Sequence, residues 1–371
     1  MDRRKLKTGL ITAGVLLLLT PITLRLLGFG GTQGQPEDAA YFPVQDADTG
    51  KWAFIDTQGE ALTPFVFDWA GDFRHGRGLA QATIAGEPVM GYIDSAFKAD
   101  GDWAIAPRFT LADSADQSAR GFFDGLAAAR DDDGKWGYID TDGKWAIEPR
   151  FVEHPELEGQ MPCGDFSDGM AWYCEVEPAM RPVFDDLGKP LRDDEGAMVE
   201  EPYLRIRFGY INRRGKEIGA TRFAMAQDYG EGLAGVVYTT EPGWAIVDRK
   251  GDRVLSSRFE AVDRFNEGVC AVKEGGLWGY IDPEGEWVIE PTFAEARQFV
   301  DGLAPARLPD QKWGYINTRG TFVIRARFDD DERPGMFNDP RPFENGVARV
   351  LLDGEVRYID TDGAILWAGG E

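Results

Sequence analysis

An all-β repeat architecture follows from three features of this 371-residue chain. A strand-like segment, Lys135-Trp136-Gly137-Tyr138-Ile139-Asp140, recurs along the chain. A turn glycine follows it at a fixed distance. A phenylalanine follows that glycine eight residues later in seven copies. Self-similarity at a period of about 35 to 45 residues is the mark of a repeat protein and takes precedence over segment-by-segment reading. The expected fold is eight three-stranded antiparallel meander units in an open β-solenoid-like array, with a β-propeller as the alternative, preceded by one N-terminal transmembrane helix.

The first repeat position holds Trp52, Met90, Trp136, Phe208, Trp244, Trp278, Trp313 and Val356. The fifth holds Asp56, Asp94, Asp140, Asn212, Asp248, Asp282, Asn317 and Asp360. Seven copies place a glycine three residues on, among them Gly143, Gly285 and Gly320, whereas the second copy has a longer turn reaching Gly101. Asp or Asn at the first position and Gly at the fourth is a type I turn signature. In the strand itself, Trp136 and Tyr138 share one face and Ile139 takes the other. Apolar residues on both faces indicate a strand covered on both sides. Gly137 marks a place where a neighbour, such as an aromatic ring, comes close.

A second strand follows each turn, as in Trp145-Ala146-Ile147-Glu148-Pro149, with its proline near the end where a lost N–H is tolerable. A third precedes each copy: Phe299-Val300-Asp301-Gly302-Leu303-Ala304, with versions at Gly125, Gly169 and Gly268. The connection between units reads R-F-x-x-A-x-x-F. A fourth strand there would favour a propeller. Its absence would leave stacked units. The short units, and the lack of a unit split between the two ends of the chain, favour the open array.

This pattern resembles the bacterial WG-repeat family, whose short form is K-W-G-Y-I-D. The resemblance covers roughly residues 40–367, with the first, second, fourth and eighth copies degenerate. It implies a repeat protein of bacterial envelopes or signalling systems, and implies no particular activity.

Residues 1–35 differ in composition. Arg3, Arg4, Lys5 and Lys7 precede an uncharged run from Thr8 to Leu24, 17 residues or about 25 Å of helix. This is the short end of the membrane-spanning range. The basic flank places the N-terminus in the cytoplasm and residues 36–371 in the periplasm. No A-x-A site follows, so an uncleaved signal anchor is favoured over secretion after signal cleavage.

The remaining chain has 35 basic and 63 acidic residues, a net charge of −28 outside the N-terminal segment. Nucleic-acid binding needs phosphate neutralisation, so that balance excludes it as a partner class. No catalytic, cofactor or metal constellation stands out. The recurring aspartates are turn caps and lack the alternating oxygens of a calcium loop. With two histidines, His75 and His154, the chain offers little for zinc or triad chemistry. The repeat tryptophans Trp52, Trp136, Trp244, Trp278 and Trp313 are expected in the core. Trp103, Trp145, Trp172 or Trp287, if exposed, would instead offer sugar-stacking faces for an envelope glycan. Cys163 and Cys174 are eleven apart and could form a disulfide in an oxidising compartment, or remain two thiols. Cys270 reads as a buried free thiol.

Departures from the repeat point to function. The link in the fourth unit expands to residues 175–207 and contains Arg192, Asp193, Asp194 and Glu195. Long loops in compact domains tend to be functional. The expectation is a non-enzymatic scaffold that binds a protein partner there. A second insertion spans Asp330–Pro342.

Overall fold

The structure is a computed structural model and describes residues 41–46, 48–97, 103–110, 119–154, 161–183, 185, 189–193, 195–330 and 340–367. The expected membrane anchor, Asp194 and most of the Asp330–Pro342 insertion lie outside these residues. Among the described residues, no helix is long and apolar enough to cross a membrane.

Every described element is a strand, and eight antiparallel sheets succeed one another along the chain. The seventh unit shows the plan. Leu303–Arg307 pairs with Trp313–Asn317, which pairs with Phe322–Phe328. These are the three expected strands. The R-F-x-x-A-x-x-F connection supplies a fourth: Glu295–Ala296 pairs with Arg307 and Ala306. Met225–Ala226 and Ala261–Val262 do the same in the fifth and sixth units, and Trp69–Arg74 in the second. Single bridges take its place in the third, fourth and eighth, at Ala119, Cys163 and Asp329. The first unit, built on Phe42–Gln45 and Trp52–Ile55, has no such strand among the described residues.

The role of the repeat glycine differs from the expected accommodation of a ring. Trp136 pairs with Phe151 and Tyr138 with Ile147, so one residue faces three and the outer strand bulges. A Cβ on Gly137 would lie 2.6 Å from Ile147 O and 2.8 Å from Pro149 N. Gly279 meets Ile289 O and Pro291 N in the same way. The W-G glycine and the E-P proline are therefore two halves of one device. The bulge brings backbone against the glycine, and it puts the residue without an N–H where no ladder bond is needed.

Trp136 and Tyr138 pack forward against Phe166 and Tyr173 of the fourth unit, while Ile139 packs backward against Tyr92 and Phe122. Each apolar cluster spans two consecutive units in this way. The last unites Val347 and Tyr358 of the eighth unit with Val44, Ala53 and Ile55 of the first. The Tyr358 hydroxyl donates to Pro43 O at 2.5 Å. The array therefore closes into a propeller-like ring, and the open array favoured by the sequence is corrected. An open array leaves two apolar end faces in water, whereas this chain buries both against each other.

Two sets of polar contacts stitch the units. Arg150, beside Phe151, donates to the carbonyl of the next turn glycine, Gly215, at 2.5 Å. Arg258 and Arg327 reach Gly285 and Gly363 likewise. In addition, an acidic residue with φ near +50° precedes five of the inner turn glycines, and its carboxylate accepts the N–H of the next unit's glycine. Asp124 accepts from Gly169, Glu231 from Gly268, and Asp301 from Gly346.

Candidate functional site

Two features stand out from the repeat. The first is the expanded fourth unit. Residues 175–207 are not a loose loop. Met170–Pro182 and Glu200–Asn212 pair residue for residue along their whole length as a long two-stranded hairpin. The neighbouring units' equivalents, Leu126–Arg130 and Leu233–Val237, are far shorter, so the hairpin runs well past the ends of the adjoining sheets. Ion pairs Arg181–Glu201 at 2.7 Å and Arg207–Glu177 at 2.6 Å cross it. Beyond Pro182 the chain continues to fold on itself: Leu191 donates to Val183 O, and Val199 to Leu191 O. Met180, Leu191 and Met198 are exposed there, beside the exposed Arg192, Asp193 and Glu195. Asp193 caps its own turn, accepting the N–H groups of Glu195 and Ala197, and Arg192 donates to Gly196 O.

At the hairpin's root lies a cleft of about 570 Å³, lined by Val152 and His154 on one side and Cys174, Glu175, Glu177 and Arg207 on the other. Cys163 and Cys174 are free thiols. Cys163 pairs with Tyr173 across the sheet, so it shares that residue's face and Cys174 points to the opposite one. Burial pushes the Cys174 thiol up to about 11 and the Cys163 thiol up to about 12. Both are protonated at neutral pH, and thiolate chemistry does not start from them.

The second feature was not anticipated. The short inner strands and their turns bring charged side chains together from different units. Arg120 of the third unit pairs with Asp165 of the fourth at 2.6 Å. Arg264 of the sixth donates to Ser167 of the fourth at 2.9 Å and to Gln298 of the seventh at 3.0 Å. Arg74 of the second pairs with Glu344 of the eighth at 2.7 Å, and Arg341 with Asp72 at 3.1 Å. The contact between the fourth and sixth units, which are not neighbours, accords with a closed ring whose inner turns converge.

Burial decides the electrostatics there. The Asp165 carboxyl is pushed up to about 6 although Arg120 attracts it, because Asp228 and Asp72 add like charge to the cost of desolvation. Asp228, Asp263 and Glu344 are likewise raised, chiefly by burial. The sequence carried a faint signal for this centre, since these residues flank the aromatic of F-x-x-G-L-A, but their spacing varies in type from unit to unit and carries no motif.

Of the repeat tryptophans, Trp136, Trp244, Trp278 and Trp313 are buried, whereas Trp52 is half-buried. Trp103, Trp145, Trp172 and Trp287 are half-buried and packed against apolar clusters. Gly143, Gly285 and Gly320 take positive φ in their turns, as the D-x-x-G reading requires. Among the described residues, no group of three or more His, Cys, Asp and Glu side chains is placed to hold a metal ion.

The model of the WG containing repeat family matches residues 52–85, 136–175, 244–278, 278–312 and 313–330. No curated protein matches the chain. Among solved structures, the computationally designed Ika8 protein is similar at 11% identity, covering 81% of this chain and 86% of that one, with a TM-score of 0.45. BamB from Moraxella catarrhalis is similar at 10% identity over 77% and 95% of the two chains, TM-score 0.30. The extracellular domain of the putative one component system BT4673 from B. thetaiotaomicron is similar at 12% identity over 92% and 61%, TM-score 0.29, so this chain spans about three fifths of it. The matched segments coincide with the strand–turn–strand units described above, so these units are WG-containing repeats.

Proposed function

We propose that the chain is a non-enzymatic interaction scaffold whose partner-specific surface is the fourth unit's hairpin. One observation carries this reading. In a ring of short units, a single pair of strands is greatly extended, cross-braced by ion pairs, and finished with exposed Met180, Leu191 and Met198. Exposed apolar side chains among charged ones are the composition of a protein contact surface. A preformed hairpin also loses little conformational entropy on binding. Arg192, Asp193 and Glu195 would lie at its polar rim.

The N-terminal sequence supports an inner-membrane anchor with the ring in the periplasm: a basic tip, then an apolar run of spanning length. Protease protection of the C-terminal region in intact cells, lost in spheroplasts, is the expected result. Protection that persists in spheroplasts would place the ring in the cytoplasm.

The decisive experiment is capture from solubilised envelopes with the full-length protein and with a variant lacking residues 176–206, alongside sedimentation with isolated peptidoglycan. A protein captured only by the full-length chain supports the hairpin as the binding surface. Equal retention of both forms on peptidoglycan would move the function to the ring and to an envelope glycan.

A further inference from the structure

The fourth unit's hairpin has two long outer edges, and prolines treat them differently. On Met170–Pro182, Cys174 N–H donates to Pro162 O, away from the partner strand Glu200–Asn212. Backbone groups alternate in direction along a strand, so Val176, Pro178, Met180 and Pro182 turn theirs outward as well. Proline has no N–H, so every second docking position on this edge lacks a donor. Edges blunted in this way resist the addition of another strand.

The opposite edge is not blunted along its middle. Phe208 stands opposite Cys174 and pairs on its other side with Phe223, so its backbone groups also turn outward. By the same alternation Ile206, Leu204 and Pro202 do so too. Glu217–Phe223 pairs with Phe208, Tyr210 and Ile211, and stops short of Ile206. Among the described residues, no strand pairs with the outer side of Leu204 and Ile206. These two are consecutive docking positions, and each offers an N–H and a C=O. Their half-buried side chains lie on one face of the hairpin, across from Pro178 and Val176. Arg205 and Arg207 lie on the other face and both turn to the same oxygen, Glu177 Oε1, at 3.7 and 2.6 Å. On a strand added here, an apolar side chain would stand beside Leu204 and Ile206, and an acidic one beside the two guanidinium groups.

We propose that this edge takes up an extended peptide segment of the partner, with apolar and acidic residues in alternation, as a new antiparallel strand beside Tyr203–Arg207. This rests on the hairpin being the partner surface, and it names how the partner is held. A second copy of the chain is disfavoured as the occupant, since each copy carries a net charge of −24.

Fluorescence anisotropy of the full-length protein with a labelled, end-blocked peptide of about six alternating Val and Glu residues, the length of an ordinary strand, tests it. Saturable binding is expected, and Ile206→Pro weakens it roughly tenfold, as the loss of one or two hydrogen bonds implies. In an antiparallel pair, the residue opposite Ile206 shares its face and turns its own N–H towards it. N-methylation of the valines therefore abolishes binding, whereas N-methylation of the glutamates does not. That comparison leaves the protein unaltered and keeps the test open if Ile206→Pro fails to fold. Absence of binding at millimolar concentrations overturns the proposal, as does an equal effect of the two methylations or binding unchanged by Ile206→Pro in a folded protein. A dimer in sedimentation that Ile206→Pro dissolves would assign the edge to a second copy and overturn it too. The hairpin reading is judged separately by envelope capture: a protein lost on deleting residues 176–206 but kept by Ile206→Pro sinks the edge and leaves the hairpin.

Discussion

At the scale of single residues, the repeat motif is a set of backbone requirements. Gly137 illustrates the point because its φ is not positive and its selection is steric. Gly137→Ala places a methyl against Ile147 O and Pro149 N, atoms of a strand that cannot move without breaking the sheet. Overpacking of this kind costs about 1–3 kcal/mol, and a fall of that size in urea-unfolding free energy is expected. A Gly137→Ala protein as stable as the parent would mean that the bulge relaxes freely. Asp140 is the second case. Its Oδ1 accepts the N–H groups of Asp142 and Lys144 at 3.0 and 2.9 Å. The same pair of bonds forms at Asp56, Asp248, Asp282 and Asp360. Asp140→Ala is expected to cost about 1 kcal/mol, and Asp140→Asn to restore most of it, as Asn212 and Asn317 already do this work in their own turns.

At the scale of elements, the inner strand and the hairpin decide what the molecule can do. The hairpin is separable. Glu175 still faces Arg207 when everything between them is removed, because their register is set by pairs from Met170–Asn212 inward. Replacing residues 176–206 by a tight turn is therefore expected to leave the ring's unfolding midpoint within about 0.5 kcal/mol of the parent, as measured in denaturant, since surface changes away from the core fall in that range. A large loss would show that the hairpin braces the ring. The arginine contacts between units are individually modest. Arg150→Ala removes one hydrogen bond to Gly215 O from an exposed residue and is expected to cost about 0.5–1.5 kcal/mol.

At the scale of the whole molecule, closure and the central charges set the pH dependence. The folded-state value of Asp165 lies near 6, above its ordinary 3.8. A carboxyl raised in this way binds more protons folded than unfolded between those two values. Its contribution to stability is therefore fully present below about pH 4 and is lost as pH rises through about 6. Asp228, Asp263 and Glu344 are shifted in the same direction. Unfolding free energy measured against pH should thus fall across that window, and the fall should be shallower in Asp165→Asn. A parallel profile in the variant would show that Asp165 is not the group responsible. The ring's seam depends on Arg74–Glu344 and Arg341–Asp72, which join the second and eighth units at the level where the first unit has no inner strand among the described residues.

The sequence by itself determined the units. The alternation of W-G-Y-I-D, the D-x-x-G turn and the regular phenylalanine are local, and local geometry is written in neighbouring residues. It also marked the fourth unit as exceptional through a break in spacing. The tertiary structure alone decided three things. It turned the connecting segment into an inner strand, because two residues such as Glu295 and Ala296 carry no periodicity of their own and become a strand only when Ala306 and Arg307 lie alongside. It closed the array, because the burial of Tyr358 against Val44 is a contact between residues some three hundred positions apart that no repeat pattern encodes. And it gathered Arg74, Asp165 and Glu344 from three separate units to one place, where burial and unlike charge give them properties that none has in its own segment.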